Sequence, residues 1–438
     1  MIRRISMNSI WLKTAKKPRF DALDKSKKTD VLIIGGGIAG ILCAYKLKNA
    51  GIECMLAEAT EICGGITKNT TAKIALGHGL IYDNLIRRFG EEKARLYAKA
   101  QRKAIDEYAH LCGGIDCDYE TKDNYVYSLK NGKEIEKEIL ALNRLDVDAI
   151  FSDTPELPFP VTWAVRIKNQ AQFHPLKFLY AIAKDLPIYE HTKVLELMPH
   201  KAITNHGDIT FKKLIIVTHF PMLNKHGLYP IKLYQHRSYV LALKGAQRID
   251  GMYVDESDTG FSFRNYGDLL LLGGGGHRTG KPGGCWQELE AFTKQHFKHA
   301  EIVSKWATQD CMTLDDIPYI GQYSKSTPDV FVATGFRKWG MTNAMVASNL
   351  LCDLIQCKSN PYAEVFAPTR SMLHRQLAVN AFDSIVGLLT PTAPRCPHLG
   401  CALKYNRAEH TWDCPCHGSR FTEDGQLIDN PATDDKNF

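Results

Sequence analysis

The chain has 438 residues, enough for two to four domains at roughly 100–200 residues each. Forty-four per cent of it is hydrophobic and 24% is charged, which supports a large buried core and excludes a disordered chain. The net charge of +7 comes from interspersed basic and acidic residues, so no stripe for nucleic acid forms, and no run approaches the ~18 apolar residues of a transmembrane segment.

The basic leader Met1 to Lys17 scatters its apolar residues and does not read as a secretory signal, so a cytoplasmic setting is expected. Asp30 to Ile34 reads as a buried strand, Ile38 to Ala50 as a helix capped at Gly51, and Glu53 to Ala57 as a second strand. Together they make a βαβ unit of about thirty residues. Residues 82–111 alternate at helical spacing, and Asn124 to Thr162 holds short strands and an acidic helix punctuated by Pro155, Pro158 and Pro160. A helix over 175–184 and a strand over 214–218 follow. Lys232 to Leu272 is β-rich, Gly273 to Gly284 reads as a glycine-rich loop, and 285–308 reads as helical. Val330 to Ala333 is a buried strand that Gly335 and Gly340 lead into a helix over 341–356. Lys358 to Thr392 reads as a connector with a short helix, and 394–438 as a distinct small tail.

Gly35-Gly36-Gly37-Ile38-Ala39-Gly40 fits G-x-G-x-x-G between a strand and a helix. Gly35 allows the tight turn, Gly37 lets the backbone approach a pyrophosphate, and Gly40 permits close helix–strand packing. The helix amino terminus presents free N–H groups to phosphates. Glu58, at the end of the second strand, is placed to bond a ribose hydroxyl, and an acid there disfavours NADP. The motif alone leaves FAD and NAD open.

Val332-Ala-Thr-Gly335-Phe-Arg-Lys-Trp-Gly340-Met341-Thr342-Asn-Ala344 resembles the closing flavin motif of the D-amino-acid oxidase-like FAD superfamily, which includes glycine and sarcosine oxidases. The resemblance covers residues 28–358. It implies FAD, with Gly65 and Thr67 against the pyrophosphate and flavin edge, and Val194 meeting adenine. It also implies that Gly335, Gly340, Met341 and Thr342 lie over the isoalloxazine, and that Gln172-Phe-His174-Pro175 starts a helix of the FAD domain. The implied fold is α/β: a Rossmann-type FAD-binding domain (about 28–77, 163–225 and 310–358) interleaved with a β-rich α+β substrate part (about 78–162 and 226–309). Residues 1–27 are then a leader and 359–393 a linker. In amine-oxidising relatives an arginine before such a glycine holds the substrate carboxylate, which makes Arg264, ahead of Gly267, a catalytic-site candidate alongside His78. An ordinary strand-end arginine is the competing reading. His236, His277 and Arg278 are further candidates, read as loop residues.

Nine of the 13 cysteines are scattered, as small core residues are. The rest crowd the tail. Cys396-Pro-His398 and Cys414-Pro-Cys416-His417 supply two thiolates and two imidazoles, one of each per loop, which is the donor set of a Rieske [2Fe–2S] centre. Zinc is the chemical rival, although zinc fingers usually pair like with like. The two loops also resemble those of the cytochrome bc-complex type of Rieske protein. That resemblance implies a β-type tail domain over 394–438, shorter than a full Rieske domain. It implies ligands Cys396, His398, Cys414 and His417, and a disulfide between Cys401 and Cys416. It sets Ser419 against a bridging sulfide. Phe421 stands where high-potential relatives have tyrosine, so the expected potential falls below the ~+300 mV top of the Rieske range.

An oxidase-like FAD domain joined to a Rieske tail resembles a family of bacterial FAD-dependent oxidoreductases. The pairing implies a dehydrogenase acting on an amine or amino acid, with a one-electron carrier, a ferredoxin-like protein or a quinone, as partner. A flavin and iron–sulfur relay without an organic substrate is the alternative. An oxidase with a structural zinc tail is a third reading.

Overall fold

Lys27–Ile34, the first apolar run, forms the central strand of a mixed sheet in the computed structural model, which describes residues 5–437 apart from 131, 153–155, 162, 224–225, 258 and 392–393. It pairs in parallel with Gly207–Ile216 on one side and Cys54–Ala57 on the other. Val330–Thr334 extends the parallel set, and Tyr319–Gln322 closes that edge antiparallel. Its inner residues are buried on both faces, so they read as one continuous hydrophobic run. The helices Ile38–Asn49 and Gly340–Ile355 pack together over this sheet. The expected helical stretch from residue 82 is two helices, Tyr82–Phe89 and Glu91–Cys112, parted by Gly90 at φ +85°.

A second, nine-stranded sheet carries the β-rich segments, and its long antiparallel trio is Glu301–Thr313, Leu233–Lys244 and Leu269–Arg278. Two expectations fail here. Gly273 to Gly284 is not a loop throughout, because the strand Leu269–Arg278 runs through its first half. A Cβ on Gly273 would lie 2.6 Å from Ser262 Oγ, and one on Gly275 would lie 2.2 Å from the Cys285 carbonyl oxygen. These glycines serve close approach as well as turning. Residues 285–308 are helical only over Cys285–His296, and the rest enters the strand Glu301–Thr313. His236, His277 and Arg278 are therefore strand residues, with His236 directly opposite Arg278. Pro155 lies outside the described residues.

The leader is part of the fold. Trp11 is fully buried and donates its indole N–H to the Thr70 carbonyl at 2.8 Å. The segment expected as a connector holds a fifteen-residue helix, Arg375–Leu389, after the short helix Ala363–Phe366. Beyond it, four short antiparallel strands from Lys404–Asn406 to Leu427–Asp429 enclose a core of the four tail cysteines with Leu403, Phe421 and Ala432. Among the described residues no helix is long and apolar enough to cross a membrane.

Candidate active site and metal centre

A cavity of about 510 Å³ opens at the carboxyl ends of the parallel strands, where open α/β sheets place their ligands. Gly35, Gly37, Glu58, Gly65, Thr67, Val194, Gly335, Gly340, Met341 and His78 all line it. Gly40 and Thr342 stand just behind. A Cβ on Gly40 would sit 1.9 Å from the Gly35 carbonyl oxygen, and Thr342 Oγ1 meets His78 Nε2 at 3.0 Å. The helix opened by Gly37 has one early N–H, that of Ile38, bonded to Thr67 Oγ1 at 3.1 Å. Glu58 accepts from Gly36 N at 2.7 Å and from Thr60 N and Oγ1 at 2.8 and 3.0 Å. A carboxylate has about four acceptor sites, so one remains for a hydroxyl. His174 caps the helix Pro175–Ala183 by accepting from Lys177 N.

His78 reaches the cavity with both ring nitrogens engaged. Nδ1 meets Tyr97 Oη at 2.8 Å, and Nε2 meets the Ala75 carbonyl at 2.8 Å. Its ring stacks on Trp339 at 4.7 Å. Burial pushes its pKa down to about 3, so the ring is neutral, with the proton on the nitrogen that faces the carbonyl.

Arg264 does not line the cavity, against expectation. It is 1% exposed, and its Nη1 donates to the carbonyls of Thr71 and Ala72, both at 2.8 Å, while its guanidinium lies over the Trp11 ring. The charge is consumed in holding a backbone segment. Arg264→Met should therefore lower the melting temperature, by roughly 3 kcal/mol or more of stability, because it strands buried carbonyls. A variant as stable as the parent that loses only selectivity for carboxylates would return Arg264 to a substrate role. His277 and Arg278 serve structure as well. His277 bonds Tyr239 Oη at 2.9 Å, and Arg278 pairs with Asp383 of the helix Arg375–Leu389 at 3.1 Å.

In the tail, Cys396, Cys414 and His417 are buried, and His398 is half-buried. The two imidazoles meet edge to face at 4.9 Å. The thiols of Cys401, Cys414 and Cys416 lie within 4.8 Å of one another. The Cys414 thiol is held well below the usual thiol range by the neighbouring thiols of Cys396, Cys401 and Cys416. The disulfide expected between Cys401 and Cys416 is absent, and both are free thiols. They share a three-sulfur cluster with Cys414, and Cys416 donates to the Asp383 carbonyl at 3.7 Å. Ser419 Oγ accepts from Ala432 N at 3.0 Å. Two thiols and two imidazoles from two loops, with His417 Nδ1 buried and unpartnered, fit a [2Fe–2S] centre.

The tail also builds the cavity. Leu427 to Thr433 form part of its wall, and the Asn430 amide donates to the carbonyls of Thr218 and Phe220. The Phe220 ring lies 6.1 Å from the His398 ring and 6.4 Å from the His417 ring. A buried ion network locks this seam: Glu409 takes Arg237 from the large sheet and Arg420 from the tail, and Arg420 also pairs with Asp413 and Asp429. Burial would raise the Glu409 carboxyl, but the two arginines outweigh it and hold it at about 2. Sequence reading missed Lys73, Phe220, Tyr239 and this wall, for none of them stands in a motif.

Comparison with known proteins agrees with the geometry. The model of the FAD dependent oxidoreductase family matches residues 30–354. The chain belongs to that family. A Rieske [2Fe-2S] domain matches residues 359–437, so FAD and a [2Fe–2S] cluster are the cofactors, and the tail is not a zinc module. The Rieske 2Fe-2S iron-sulfur protein YhfW of Bacillus subtilis (strain 168) is 34% identical, over 96% of this chain and 95% of its own. L-proline dehydrogenase from P. horikoshii shares the fold of the FAD part, with a TM-score of 0.67 at 19% identity over 79% of this chain and 98% of its own. Glycine oxidase from Geobacillus kaustophilus does likewise, with a TM-score of 0.65 at 16% identity over 79% and 99%.

Proposed function

We propose that this oxidoreductase is a dehydrogenase that oxidises the C–N bond of an amine or amino acid and delivers the electrons singly, by way of its Rieske tail, to an external carrier such as a ferredoxin-like protein or a quinone. The observation that carries the reading is the shared wall: the glycine motif and the Rieske tail line one cavity. When bound, the two cofactors supply two-electron and one-electron redox chemistry respectively.

In this reading Gly35 and Gly37 admit the pyrophosphate, Glu58 takes a ribose hydroxyl, and Val194 meets adenine. Gly65 and Thr67 take the flavin edge, and Gly335, Gly340 and Met341 the ring, with Thr342 bracing from behind. Cys396, His398, Cys414 and His417 ligate the cluster. Lys193, next to Val194, donates to the Thr433 carbonyl, so the tail covers the nucleotide end. The remaining wall belongs to the large sheet, where Lys73, Tyr239 and Asp255 face the cavity beside His78. A cavity that keeps such a polar wall favours a small organic substrate over a bare relay. The relatives with solved structures named above act on amino acids by their names, which supports the same class.

The test is an anaerobic titration of the holoprotein with amines and amino acids, following flavin absorbance and the cluster's paramagnetic resonance together. Bleaching of the flavin followed by a Rieske-type signal is expected. Reduction of both centres by a chemical reductant, with no response to any amine, would favour the relay instead.

A further inference from the structure

Among the cations that line the cavity, Lys73 is set apart by its surroundings. It is 8% exposed, on the short strand Lys73–Ile74, which pairs with Gln172 and Ala171 of the large sheet. Its Nζ makes one hydrogen bond, to Thr71 Oγ1 at 3.3 Å, and no carboxylate lies within ion-pair distance among the described residues. Lys193, Arg337 and Lys338, on the same cavity, are all half-buried, and the first two pair with Asp434 and Asp316. An ammonium has three donors, so two of Lys73's remain for a ligand. Burying a cation without a partner is costly, and a bound anion offsets that cost.

The backbone around Lys73 is held to aim it. Arg264 takes the carbonyls of Thr71 and Ala72, Trp11 takes that of Thr70, and Ala72 sits at φ +56°. The arginine expected to bind a carboxylate instead pins the segment that presents a lysine. We propose that Lys73 anchors the carboxylate of the substrate, which makes that substrate an amino acid rather than a simple amine. The inference rests on the amine-dehydrogenase reading above and narrows it. Burial, and then the positive charge of Arg264, push the Lys73 amine down to about 7, and an anionic partner would favour its charged form. The competing anion, the FAD pyrophosphate, belongs to the glycine turn and helix amino terminus on the other sheet.

The holoprotein is titrated with pyrrole-2-carboxylate and benzoate and with their neutral amides, reading perturbation of the flavin spectrum. The acids should bind at least tenfold more tightly than the amides. Lys73→Met should abolish that preference, weakening the acids by roughly ten- to a hundredfold, the worth of a charged hydrogen bond. Lys73→Arg should stay within a few-fold of the parent, and FAD content should be unchanged in both variants. The proposal is overturned if the parent binds acids and amides alike or binds neither. It is also overturned if Lys73→Met keeps the preference, or if it loses FAD while the preference survives. Reduction of the parent by an amine without any acid preference would sink the anchor and leave the dehydrogenase reading standing. An acid preference that depends on Lys73, in a protein no amine or amino acid reduces, would do the reverse.

Discussion

Cys414→Ser is expected to strip the chain of its iron, from two atoms to near none, and to erase the Rieske-type paramagnetic resonance signal. Cys414 is fully buried at the centre of the tail's thiols, and its backbone N–H bonds the Ser419 carbonyl at 2.8 Å. Four of the seven residues in the tail's apolar core are cysteines, so the cluster is much of what that core encloses. Metal-binding energy in so small a core is also folding energy, and the variant tail should become sensitive to protease. The FAD part has its own core, and FAD should stay bound. The ion network through Glu409 and the contacts of Asn430 hold the tail to the body independently of the cluster. Retention of iron and signal in the variant would show that Cys414 is not a ligand.

Gly40→Ala is expected to be nearly as severe for the other cofactor. Its new Cβ would fall 1.9 Å from the Gly35 carbonyl oxygen and 3.3 Å from Leu56 Cδ1. The first contact is with backbone, so the turn must open. Gly35 cannot absorb the shift, because it sits at φ +114° close under the Val217 carbonyl. Overpacking of this kind costs roughly 1–3 kcal/mol, and here it distorts the glycine turn proposed to meet the pyrophosphate. FAD content after purification should fall at least tenfold, with a lower melting temperature. Gly114→Ala, where an added Cβ meets nothing within 4 Å, should change neither. Full FAD occupancy in the Gly40 variant would mean that the turn has slack the packing does not reveal.

Both arguments concern parts of the molecule whose chemistry is local in the chain. Gly35 to Gly40 with Glu58, and Cys396 to His417, are legible because a phosphate turn and a metal loop demand fixed residue types at fixed spacings. Such demands survive without knowledge of what packs around them. The strand over Gly273 to Arg278 was illegible for the opposite reason. Its glycines answer to Ser262, Phe261 and Cys285, which approach from other parts of the chain. The strand Glu301–Thr313 likewise takes its form from twelve paired positions along Leu233–Lys244, against a helical reading of its start.

Function divides along the same line. The sequence by itself carried the dinucleotide turn and the Rieske donor set, and its resemblance to known families named the two cofactors, since such patterns are set by covalent neighbours within a turn or a loop. Only the tertiary structure decided what faces what. It sent Arg264 to backbone carbonyls and brought Lys73 to the cavity, left Cys401 and Cys416 as free thiols, and made Leu427 to Thr433 a wall of the cavity that the glycine motif lines. Each of these depends on segments about 200 residues apart or on the choice among several nearby partners. A guanidinium satisfied by four carbonyls and one seeking a carboxylate look the same in a sequence, because the difference lies in which groups the fold has left unpaired.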